Sequence, residues 1–186
     1  LISGCQQSEY ERMVTREMAA GERHDSLFLG LYLGMAEDSF YLHCRELNRR
    51  QLVMEGSGGL SVEYEIQDLG APVDMNFYPN FYEGKIYRMP VSFAYEAWAP
   101  WNRRLFADSL LTEVVGLLED WYGDGFILME HPEDEAMKVY VKVDGNRRIR
   151  VWRKDDRYVQ ADFTDLPVDR VVRKKEAEAA GTEKRN

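Results

Sequence analysis

The stretch Met137-Lys138-Val139-Tyr140-Val141-Lys142-Val143-Asp144-Gly145-Asn146-Arg147-Arg148-Ile149-Arg150-Val151-Trp152-Arg153 carries the reading of the fold. On either side of its centre, side-chain character alternates every second residue, the period of a strand with one buried face. Asp144-Gly145-Asn146 supplies turn chemistry between them, so residues 137–143 and 147–153 are expected to form an antiparallel hairpin. A two-residue Asp-Gly loop sets Val141 opposite Arg148 and mixes core and solvent residues on one face. A three-residue loop sets Val141 opposite Ile149 and Val139 opposite Val151. That register keeps the apolar face whole, so a three-residue turn with a bulge is predicted. The outward face then collects Lys138, Lys142, Arg148 and Arg150, with Tyr140 and Trp152 between them.

Working outward, residues 103–122 read as a helix whose inner face is Phe106, Leu110, Val114, Leu117 and Trp121. Asn102 is placed to cap it and Gly123 to end it. Residues 85–95 form a long strand in which Pro90, lacking an N–H, predicts a bulge or an edge position. A second helix is expected over 37–50. Phe40, Cys44 and Leu47 share its apolar face, acids occupy its first turn and arginines its end. Strands are expected at 27–33, 60–66, 73–78, 126–129 and 158–163. The order is β-α-β-β followed by β-α-β-β-β-β, which suggests two related halves. The class is therefore α+β, with two helices packed on one face of an antiparallel sheet.

The chain has 186 residues, 45% hydrophobic and 31% charged. That suits one domain large enough to bury its own core without staples. Residues 27–168 are expected to be that domain. Residues 5–26 are polar and read as a tether, with a short helix suggested at 10–20. The mixed-charge run 169–186 lacks the apolar groups to build a core and reads as a flexible tail. A net charge of −9 argues against nucleic acid as a partner, because that binding is driven by cations on phosphates.

Ile2-Ser3-Gly4-Cys5 fits a lipobox: an aliphatic residue, two small ones, then a cysteine. A peptidase needs small side chains before its cut, and a thiol must be there to receive the lipid. Residues 1–4 are thus expected to be the remnant of a signal peptide, with Cys5 the lipidated first residue. No apolar run is long enough to span a bilayer, so the anchor to the membrane is the lipid. Gln6 is not the aspartate that retains some lipoproteins at the inner membrane, which favours the outer membrane of a Gram-negative envelope. Cys44 is expected to be a buried structural thiol; a Cys5–Cys44 disulfide is the competing arrangement.

Gly34-Met35 leads into Phe40, His43-Cys44 and Leu47-Asn48. A strand, Gly-Met and then a helix resembles a family of uncharacterised bacterial lipoproteins. More distantly it is similar to SmpA/OmlA-type lipoproteins and to the β-lactamase-inhibitor-protein-like fold. Ala36 stands where that pattern favours a Ser or Thr cap, and the later Gly-x-Pro is missing. The resemblance covers about 20 residues. It implies a helix lying on an antiparallel sheet and a role in binding proteins, and carries no catalytic residue across.

Catalytic and metal chemistry finds no purchase. His43 and Cys44 point about 100° apart on a helix, His24 lies in the tether, and His131 sits in the acidic stretch 130–135, which lacks an EF-hand's alternating ligands. There is no zinc spacing and no Gly-x-Ser-x-Gly elbow. The loop 56–59 is followed by neither Lys-Ser/Thr nor a helix, as a phosphate cradle requires. The adjacent acids Glu119-Asp120 and Asp155-Asp156 are expected to be solvated. No enzyme and no cofactor is therefore predicted.

Two candidate binding surfaces remain. One is the aromatic segment 77–101, where the loop residues Tyr78, Phe81, Tyr82, Trp98 and Trp101 can anchor a partner or stack on a sugar. The other is the basic, aromatic stripe Lys138, Tyr140, Lys142, Arg148, Arg150 and Trp152. The expected function is a non-catalytic, lipid-anchored module that binds another protein or component of the envelope. The alternative is a binder of a small molecule, glycan or lipid, with a pocket lined by Tyr82, Trp98 and Trp101. A hydrolase built from scattered carboxylates is the remaining reading.

Overall fold

Strand pairing organises this chain, and the helices pack on the sheet. The computed structural model describes residues 8–56, 60–131 and 134–183. Helices α1 (Glu9–Ala20) and α2 (Glu37–Arg49) precede β1 (Met54–Glu55), β2 (Val62–Ile66), β3 (Val73–Phe77), β4 (Asn80–Tyr82) and β5 (Lys85–Tyr95). A 3-10 turn at Arg103–Leu105 leads into α3 (Ala107–Tyr122). Then come β6 (Ile127–His131), β7 (Asp134–Asp144), β8 (Arg147–Arg153), β9 (Val159–Asp165) and α4 (Leu166–Glu183).

The nine strands form one antiparallel sheet in the order β1-β2-β3-β5-β9-β8-β7-β6, with β4 pairing β5 off this path. The α+β class is as expected. Two halves are visible in the topology: a helix and a meander ending in β5, then a helix and a meander ending in β9. The two final strands meet antiparallel along the middle. The division falls after β5 and not before it, because β5 pairs with β3 of its own half.

Cross-strand rows build the main core. Val62, Phe77, Val91, Ala161, Val151 and Tyr140 are successive partners across six strands. Leu110, Val114 and Leu118 of α3 and Phe40 of α2 belong to the same buried cluster. In α3 the buried stripe is Ala107, Leu110, Val114 and Leu118, while Trp121 is surface-exposed. Of the expected face Phe106, Leu110, Val114, Leu117 and Trp121, Leu110 and Val114 are buried and Leu117 is partly buried against the core. The stripe continues at i+4 from Val114 to Leu118, and the helix begins at Ala107, four residues after the expected start at 103. Phe106 is extended and serves as the N-cap, and Asn102 makes no capping hydrogen bond.

The segment expected as a strand at 27–33 is instead a tight turn. Leu31 N–H donates to Phe28 O, and Leu29 and Gly30 both have positive φ. Leu27, Phe28, Leu31 and Leu33 are all buried. A run apolar at nearly every position suits a plug driven into the core better than a strand with one wet face.

Helices cover both faces of the sheet, which corrects the expectation of a single covered face. The residues read as a tether include α1, capped by a reciprocal Ser8–Glu11 box. Its Met13 and Val14 pack on Val143 and Leu166 from the side opposite the main core. The run 169–186 read as a flexible tail is helical as far as Glu183, as part of α4; Asp169 at its start is buried, as is Leu166 just before it.

This second cover also decides the hairpin. The register is Asp144↔Arg147 and Val141↔Arg150, joined by a two-residue Gly145-Asn146 turn without the predicted bulge. Only Gly145 of the two has positive φ, the pattern of a type II′ turn. The segment 17–25 clasps this turn. Gly145 N–H donates to Glu17, His24 N–H to Asn146 Oδ1, and Asn146 Nδ2 to Asp25. Pro90 sits where the pairing with β3 has ended at Val91 and that with β4 begins at Arg88. The register shift in β5 falls beside β4, between the partners of Asn80 and Phe81.

Candidate binding surface

The two-residue turn splits the predicted basic stripe. Tyr140 and Lys142 share a face with Val151 and Ile149, toward the main core, while Arg148, Arg150 and Trp152 pair with Val143, Val141 and Val139 on the other. Lys142 is buried and spends its ammonium on Asp124 O and Asp144. Tyr140 packs at the margin of the core, and Lys138 is exposed beside Glu130.

The aromatic loops are separated too. Tyr78 and Phe81 lie against Phe40 of α2, and the hydroxyls of Tyr78 and Tyr41 are 2.7 Å apart. Trp98 packs on Phe106 under Arg157 and donates Nε1–H to Asp156 O, whereas Trp101 is 85% exposed. Tyr82 and Trp98 stand beyond opposite ends of β5, about 30 Å apart by strand rise, so the pocket expected of Tyr82, Trp98 and Trp101 does not exist. Cys5 lies outside the described residues. Cys44 is a half-buried free thiol, pushed up to about 11 by burial, and is therefore no thiolate at neutral pH. Among the described residues no three His, Cys, Asp or Glu side chains gather to hold a metal ion.

What the fold assembles is a strip of open sheet on the face that α1 and α4 cover only in part. Trp152, Gln160, Ser92, Asn76 and Glu63 are successive cross-strand partners from β8 to β2. All five are half-buried, neither sealed nor free. A shallow groove of about 240 Å³ runs over Asn76, Pro90, Ser92 and Gln160, with Ser61 and Tyr78 at its side.

The neighbouring row is Arg150, Asp162 and Pro90. Asp162 is 1% exposed and accepts from Arg88 Nε at 2.7 Å and Arg150 at 2.6 Å. Burial opposes its ionisation, yet the two guanidiniums outweigh burial and hold the carboxyl below its usual range. Arg150 also lies over the Trp152 ring. One row further, buried Arg148 meets Thr164, Tyr10 of α1 and Asp169 of α4. The opposite end of the strip is acidic. Burial, then the charges of Glu63, Glu96 and Glu65, raise the pKa of Asp74.

The strip is thus a dipole, cationic and aromatic on β8–β9 and anionic on β2–β3. Arg150 and Trp152 were legible as candidates from sequence. Gln160, Ser92, Asn76, Asp162 and Arg88 were not singled out, although the alternation in β3, β5 and β9 places them on one face. Comparison with family models, with characterised proteins and with solved structures gives no match to this chain.

Proposed function

We propose that this chain is a non-catalytic, lipid-anchored binding domain that holds another protein of the bacterial envelope on the open strip of its sheet. The observation that carries the reading is the strip's composition. An arginine stacked on a tryptophan at one end and carboxylates at the other give a partner both an anchor and an orientation. The floor between them is small and polar, so a partner's side chains can approach the strands. The lipobox Ile2–Cys5 supports the anchor, and Gln6 supports the outer membrane as its address.

A photo-crosslinking residue at Ser92 or Gln160 in the natively expressed protein tests the partner. One discrete protein adduct is expected, lost when Trp152 is changed to Ala and absent when the crosslinker is placed at Glu46 on α2. Adducts that are indifferent to Trp152→Ala would sink the reading. Mass spectrometry of the native N-terminus tests the anchor separately, with an acylated Cys5 expected.

A further inference from the structure

We propose that a second site, sharing no lining residue with the groove on the sheet, takes a small zwitterion with an apolar side chain: a free amino acid or a short peptide. The site is a cleft of about 590 Å³, within the range of about 300–1,000 Å³ typical of small-ligand sites. Three parts of the chain build it. The start of α4 gives one wall, the β4–β5 hairpin another, and the segment bearing Arg23 and Gly34 the third.

The α4 wall is apolar. Pro167, Val168 and Val171 line the cleft together with Ile86, and Val171 is 45% exposed. A ligand side chain laid there removes that surface from water. Tyr82 and Tyr87 stand edge to face with centroids 6.3 Å apart. Lys175 of α4 fixes the first of them, lying 4.9 Å above its ring and donating to its hydroxyl.

The charges select the ligand class. Asp165 lines the cleft and is 2% exposed; Arg23 donates to its Oδ2 at 2.9 Å, while its buried Oδ1 has no partner. A buried carboxylate oxygen without a hydrogen bond is costly and calls for a donor. At the same cleft the Lys85 ammonium has no hydrogen bond or ion pair among the described residues. A simple anion would be drawn to Lys85 but repelled by Asp165 and Glu83. A simple cation would meet Arg23 and Lys85. A molecule carrying both an ammonium and a carboxylate suits this pair of charges, with its ammonium drawn to the Asp165 carboxylate at the cleft wall and its carboxylate accepting from Lys85.

Titration calorimetry of the full chain with the dipeptide Leu-Phe, and separately with free leucine, tests this independently of any protein partner. Saturable binding of either is expected, and the tighter of the two identifies the size of the ligand. Blocking the dipeptide as its N-acetyl form or its C-terminal amide should weaken binding about tenfold or more each, the value of a charge-assisted hydrogen bond. Lys85 is exposed, so Lys85→Ala leaves the fold intact. That variant should abolish the preference for the free carboxylate over the amide, and Val171→Asp should weaken both. No heat of binding up to millimolar peptide and amino acid overturns the proposal. So does equal affinity for blocked and free forms, or a Lys85→Ala protein that still prefers the free acid.

Discussion

Asp162 is the residue on which the open face depends. It is buried between Arg88 and Arg150, with Thr164 Oγ1 donating at 3.4 Å to the oxygen that Arg150 also holds. Two guanidiniums on one carboxylate neutralise a charge that burial alone would push toward the acid form. Asp162→Asn leaves both arginines partly buried without their anion, at an expected cost of about 3–5 kcal/mol. Chemical denaturation at pH 7 measures that loss. The folded pKa is lowered, so the stabilisation is fully present above the unfolded value near about 4 and is lost as pH falls through the folded value. The wild type should therefore lose stability on acidification below about pH 4. Asp162→Asn should lack that portion of the acid limb, and parallel acid limbs for the two proteins would contradict the assignment.

At the scale of elements, the β7–β8 turn is held from outside the hairpin. Gly145 has φ of +51°, and a Cβ there would stand 2.2 Å from Glu22 O and 2.9 Å from Glu22 C, both backbone atoms. Left-handed strain and backbone overlap act together at this position. Gly145→Ala is thus expected to destabilise by about 2 kcal/mol or more, lowering Tm by roughly 4–8 °C. Gly21 is the control, since its φ is +69° but nothing lies within 4 Å of an added Cβ. Gly21→Ala should cost only the left-handed penalty of about 1 kcal/mol. Thermal unfolding of the two variants separates the clasp from the turn, and equal shifts would show that the clasp contributes nothing.

For the whole molecule, the antiparallel meeting of β5 and β9 makes the centre of the sheet the junction of its two halves. α3 covers one face of that centre, contacting β5, β8 and β9, and α4 covers part of the other, contacting β5 and β9. The margins are thinner. β1 has two residues, and β6 is an edge strand carrying the exposed Leu128. Amide hydrogen exchange should therefore be slowest in 89–93 and 159–163, tracking global unfolding, and fastest in 54–55 and 127–130. Protection of β6 equal to that of β9 would mean that its outer edge is covered in solution.

The sequence by itself determined what depends on local periodicity. The extents of α2, β5 and β8 and the α+β class follow from spacing within each segment, because a side chain's neighbours one turn or two residues away are set by the backbone. Tertiary structure alone decided which face of the 134–153 hairpin is which. Alternation specifies register only where one face is wet. Here Val139, Val141 and Val143 are buried on one side and Ile149 and Val151 on the other, and Arg148 and Arg150 become tolerable beside valines once Asp169 and Asp162 meet them. Those aspartates come from α4 and β9, and no spacing within the hairpin reveals them. The same holds for α1: its helical pattern was partly visible, but its place in the fold depends on Val143 and Leu166, more than 120 residues away.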